Sequence, residues 1–117
     1  MELRDLVKAV LANDVLGARQ WVADALRARV SWSRIERPEG LGLEELSLAA
    51  GLAEMMAQRA GVAPPSWTAQ VGGVPREVLL VQAARTMRRL RQLCLEEGPM
   101  PLRSRGFLAP PGFLEVA

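Results

Sequence analysis

One stretch limits the possible folds of this chain more than any other: Val78 to Leu95, VLLVQAARTMRRLRQLCL, which separates two chemistries when wound as a helix. At helical spacing Leu79, Leu80, Ala83, Met87, Leu90 and Cys94 fall on one side, and Gln82, Arg85, Arg89, Gln92 and Glu96 on the other. Such a helix needs a core against its apolar side and leaves a basic side to water or to a partner. Pro75 suits a helix start, and Gly98, Pro99 and Pro101 end one, so the spacing predicts a helix over 76–96.

Three further helices emerge from the same logic. Leu3, Leu6, Val7, Val10 and Leu11 form an apolar stripe over 2–12, and Asn13 and Asp14 then punctuate the chain, either of them able to cap the second helix. Over 15–30, Leu16, Trp21 or Val22, Ala25, Leu26 and Val30 point inward. Over 43–60 a stripe of Leu46, Ala49, Ala50, Ala53, Met56 and Ala57 allows close helix approach, which makes it the candidate for the central packing surface. Gly61 is placed to end that helix, and Met55 and Met56 read as gap-filling core.

Between these segments the period is lost. SWSRIERPEGLG at 31–42 is a loop whose Trp32 and Ile35 are expected to fold back on the core, and 62–75, with its prolines and glycines, is an internal linker pinned by Trp67. The tail over 98–117 is too rich in proline for a long helix. Its Leu102, Phe107, Leu108, Phe113, Leu114 and Val116 require burial on this chain or on another. The expectation is one all-α domain over 1–117, a compact bundle of about four main helices with an irregular Pro-rich tail packed on it.

Composition removes whole classes of function. The 117 residues suffice for one core. No apolar run approaches the ~20 residues of a spanning helix. The alternating start MELRDLVKAV does not resemble a secretory leader, so a cytoplasmic location is expected and no membrane association. With no His, no Tyr and one Cys, Ser-His-Asp and Cys-His catalysis and His/Cys metal sites are ruled out. Cys94, on the apolar side, reads as inert packing. Glu44-Glu45 and Glu96-Glu97 are sequence neighbours whose side chains diverge by about 100° on a helix. Gly40-Leu41-Gly42 and Gly72-Gly73 lack the other residues of a phosphate loop. No enzyme, catalytic residue, metal or cofactor is expected.

Arginine is what remains. The chain has fourteen Arg against one Lys, and the charge is uneven: net −1 over residues 1–75 and net +3 over 76–117. A solvated face with ion pairs to neighbouring glutamates would explain it. The alternative is a binding surface of Arg85, Arg88, Arg89, Arg103 and Arg105 with Phe107 and Phe113 of the tail. That surface suits a non-enzymatic interaction module or accessory subunit that meets an acidic or apolar protein surface, or another copy of the chain. A nucleic-acid or nucleotide-binding accessory using 76–96 is the second reading. It is less favoured, because aromatics for base stacking are not interleaved with the charge.

The C-terminal sequence RRLRQLCLEEGPMPLRSRGFLAPPGFLEVA resembles the end of a group of uncharacterised small helical bacterial proteins that finish in arginine-rich segments and a short apolar terminus. APPSWT and ARQWVADAL fit the same group. The tail is also similar to antitoxin partners of nucleotidyltransferase-like toxins, through Pro101, Arg103, Arg105, Phe107, Leu108, Phe113 and Leu114. It departs from them at Pro110-Pro111 and in having no DNA-reading module ahead of the tail. The first resemblance implies no activity, and the second implies a protein partner.

Overall fold

Small side chains decide where the core sits. The computed structural model describes residues 2–116, and in it Leu43–Ala60 form α3, in which every residue from Ser47 to Ala57 except Glu54 is buried. A helix enclosed on all sides is an interior helix. α1 (Leu3–Leu11) packs against both α3 and α2 (Val15–Arg27), and buries Leu3, Leu6, Val7 and Val10. Each such aliphatic side chain contributes about 1.5–3 kcal/mol when fully removed from water. On the other flank α5 (Met100–Arg103) lies along α3 so closely that a Cβ on Gly51 would stand 2.8 Å from Leu102 Cδ2 and 3.1 Å from the Pro101 carbonyl. Glycine at this position lets the two backbones meet.

The first three helices stop in the same way. Asn13, Arg29 and Gly61 adopt left-handed φ values of 57°, 53° and 71°. In each case the next residue donates to a carbonyl five positions back: Asp14 to Ala9, Val30 to Ala25 and Val62 to Ala57. This is the Schellman arrangement, which satisfies carbonyls that a helix end leaves free. Asn and Gly suit the left-handed region, whereas arginine enters it at a cost. The expected helix over 15–30 therefore ends at Arg27. α2 starts as expected on Asp14, whose carboxylate accepts from the Gly17 N–H at 2.9 Å.

Some inward expectations fail at the edges of these helices. Leu16 and Leu26 are 83% and 48% exposed, and Leu11 sits at the boundary; α2, which packs mainly on α1, buries only Ala18, Val22 and Ala25. The loops behave as expected. Trp32 is buried, with its ring 6.2 Å from that of Trp21. Trp67 lies in a 3-10 turn (Ser66–Gln70), packs on the core, and donates its indole N–H to the Ile35 carbonyl at 2.9 Å.

The expected single helix over 76–96 is three pieces. Val78–Leu79 form β1, Gln82–Arg85 a 3-10 turn, and only Arg88–Glu97 form α4. β1 pairs in parallel with β2 (Phe107–Leu108), Val78 opposite Phe107 and Leu79 opposite Leu108. Parallel strands need a long crossover between them, here supplied by the turn, α4 and α5. The Val74, Val78 and Leu80 amides donate to the carbonyls of Arg105, Gly106 and Leu108, so the tail takes up the backbone donors of the segment before α4. Of the expected apolar side, Leu80 and Cys94 are buried, Leu79 and Leu90 are half-buried, and Ala83 and Met87 are exposed.

The four main helices and all-α character stand, with a two-stranded parallel sheet added. The tail packs on its own chain, burying Leu102, Phe107, Leu108, Ala109 and Leu114. The Cα radius of gyration, 13.2 Å, is close to the ~13.4 Å expected of a compact domain of this length. Among the described residues no helix is long and apolar enough to cross a membrane.

Candidate functional site

The arginines of the C-terminal third divide into two sets with different chemistry. Arg105 is the interior one, 9% exposed. It grips Glu54 of α3 with both Nη atoms, at 2.5 and 3.2 Å, and also donates to the carbonyls of Thr68 at 2.9 Å and Pro101 at 3.1 Å. One side chain thereby joins α3, the linker turn and the tail, leaving only its Nε without a partner. Burial pushes the Glu54 carboxyl upward, but interactions with Arg105 and Thr68 and the Arg105 charge outweigh it and hold the group below its ordinary value.

Arg103 is half-buried and closes the end of α4, where its Nη1 donates to the carbonyls of Leu95 and Glu96. A cation suits the negative end of a helix. Two arginines from earlier helices hold the tail in the same fashion. Arg59 donates to the Phe113 carbonyl at 2.7 Å and to that of Pro111 at 3.4 Å, and Arg19 to that of Glu115 at 3.3 Å. An irregular tail exposes carbonyls that no ladder satisfies, and guanidinium supplies the donors.

The exterior set lies where α4 begins. Arg85 ends the 3-10 turn, and Arg88 and Arg89 are the first two residues of the helix. All three are exposed, and among the described residues none lies within 4.0 Å of a carboxylate. Met87, at the cap position, offers no side-chain oxygen, and the first turn holds no acid. The two charges of Arg88 and Arg89 therefore meet the positive end of a helix dipole, the reverse of the stabilising arrangement. Arg91 alone in this region is paired, 3.6 Å from Glu77.

The residues expected to form one binding surface are thus only partly together. Arg85, Arg88 and Arg89 are all exposed and follow closely along the chain where α4 begins. Arg103 and Arg105 are committed to partners within the chain, Phe107 is wholly buried, and Phe113 is half-buried against the core. Those four do not belong to an open surface. The tail positions that carry the resemblance to antitoxin partners are the ones used up in packing. The sequence reading missed Glu54, although its signal was present: it is the only charged residue between Leu46 and Ala57.

Cys94 is buried at the end of α4, where desolvation raises its thiol pKa. Among the described residues no three His, Cys, Asp or Glu side chains gather where they could hold a metal ion. Comparison with known proteins finds no matching family model, curated protein or solved structure.

Proposed function

We propose that the chain is a non-enzymatic interaction protein that docks an acidic protein surface on Arg85, Arg88 and Arg89. One observation carries this reading: three exposed arginines without a carboxylate partner among the described residues stand in the five residues where α4 begins, and Arg88 and Arg89 oppose its dipole. Folding alone gains nothing from that placement, whereas an acidic partner reverses the penalty. The patch is rich in the residue type that forks onto carboxylates.

The test compares the full chain with a variant carrying Arg85→Gln, Arg88→Gln and Arg89→Gln. The variant should be as stable as the parent or slightly more so, within about 0.5–1 kcal/mol, because exposed side chains are removed from an unfavourable end of a helix. Fluorescent poly-glutamate should bind the parent, bind the variant much less, and dissociate between about 50 and 300 mM salt as screening shortens. Equal binding by parent and variant, or none by either, would refute the proposal. Preference for a single-stranded oligonucleotide over poly-glutamate would transfer the patch to a nucleic-acid role.

A further inference from the structure

Between the start of α3 and the extended segment ahead of β1 runs an open groove of about 810 Å³. Val74, Pro75, Arg76 and Val78 line one wall, where the chain bends at 75–76 before it enters β1. Leu43 and Leu46 of α3 line the other. Leu43 is 89% exposed, the most exposed large apolar side chain among the described residues. Nothing among the described residues covers it.

The charges around the groove are as informative as its walls. Arg37 and Arg76 both line it, both are exposed, and neither has a carboxylate within 4.0 Å among the described residues. Glu44 is the single acid in the lining, so the groove is cationic overall. Glu36 and Glu39 line a neighbouring polar hollow with Glu2, and Arg37 stands between the two, lining both. An apolar trough between two free guanidinium groups complements an apolar strip that carries carboxylates.

We propose that this groove binds a peptide segment in which apolar side chains alternate with acidic ones, the apolar set against Leu43, Val74 and Val78 and the carboxylates on Arg37 and Arg76. The site uses none of the three arginines at the start of α4. It stands or falls separately from the docking role given to them.

The test uses short fluorescent peptides of alternating Leu and Glu, alternating Leu and Lys, and alternating Ser and Glu, titrated with the full chain. The Leu-Glu peptide should bind, and the other two should bind at least about tenfold more weakly. Leu43→Ser, Arg37→Glu and Arg76→Glu, all at exposed positions, should each weaken the Leu-Glu peptide about tenfold, while the Gln triple variant of Arg85, Arg88 and Arg89 retains it. Amide shifts in the unaltered, nitrogen-15-labelled chain should concentrate at Leu43, Gly72, Gly73 and Val74. Absence of binding, equal binding of the Lys peptide, indifference to the three groove variants, or amide shifts centred on α4 would each overturn the assignment.

Discussion

Replacing Arg105 with Met tests whether the tail is held to α3 by charge as well as by apolar burial. The change keeps an apolar stem of similar length and leaves the Glu54 carboxylate without its forked partner and the Thr68 and Pro101 carbonyls without a donor. Removing one member of a buried pair typically costs about 3–5 kcal/mol, because the other charge stays desolvated. Here the Glu54 side chain keeps 21% of its exposure, against 10% for Arg105, so the orphaned carboxylate can recover part of its hydration. The expected loss is about 2–3 kcal/mol, or roughly 8–12 °C in Tm at about 4 °C per kcal/mol for a domain of this size. The double variant Glu54→Met with Arg105→Met removes both charges and should return to within about 1 kcal/mol of the parent. Urea titrations of the parent, of Glu54→Met and Arg105→Met singly, and of the double variant give the coupling directly. A loss below about 0.5 kcal/mol for Arg105→Met would mean that the pair behaves as an exposed one. A double variant no better than the single would show that the charge of Glu54 is not what is left stranded.

The same carboxyl sets an acid sensitivity. Its pKa in the fold lies below the ordinary 4.5 of the unfolded chain, so near that pH the unfolded state binds the extra proton; the stability it contributes is present above that value and is lost as pH falls through the folded pKa. Glu54→Gln should therefore flatten the decline of Tm between about pH 5 and pH 3, and curves that stay parallel to the parent would contradict the linkage. Arg29→Gly relieves a left-handed arginine at the end of α2 and should raise stability by up to about 1 kcal/mol, read from the urea midpoint; a loss would mean that the exposed Arg29 side chain matters more than its backbone. Gly73→Ala should be more damaging than Gly51→Ala in thermal melts. The new Cβ at 73 meets the Arg105 backbone at 2.8–3.0 Å, whereas the nearest atom at 51 is the movable end of Leu102.

What could be read from sequence was local. α3 was legible because its eighteen residues carry one unbroken apolar pattern, and Asn13 and Gly61 announce helix ends by residue type. Arg29 ends a helix in the same geometry without any such signal. The segment 76–96 was misread because VLLV is short enough to serve a strand or a helix, and what decides between them is β2, about thirty residues further on. Once the Val78 and Leu80 amides find acceptors in the tail, helix is no longer the only way to satisfy them. Arg105 failed for the same reason, since its partner lies 51 residues upstream. Periodicity places a side chain on a face of its own element. It says nothing of what another element brings to that face.

The arginine bias of the chain has a structural use that a charge count conceals. Beyond the short α5 and β2, the proline-rich tail leaves carbonyls that no helix or ladder pairs, and a buried carbonyl without a donor would weaken the fold. Arg19 and Arg59 reach such carbonyls at Glu115 and Phe113, and Arg105 one at Pro101, while Arg103 and Arg105 tie the tail to the Leu95 carbonyl of α4 and the Thr68 carbonyl of the linker turn. Guanidinium can serve two acceptors and a carboxylate at once, as Arg105 does, which a lysine point charge with three converging donors does not do in a fixed plane. These four positions are accounted for by the packing of an irregular segment. Arg85, Arg88 and Arg89 meet no carbonyl or carboxylate among the described residues, and Arg88 and Arg89 oppose the dipole of the helix they open. Their lack of work inside the fold, rather than their number, is the ground for assigning them to an encounter outside it.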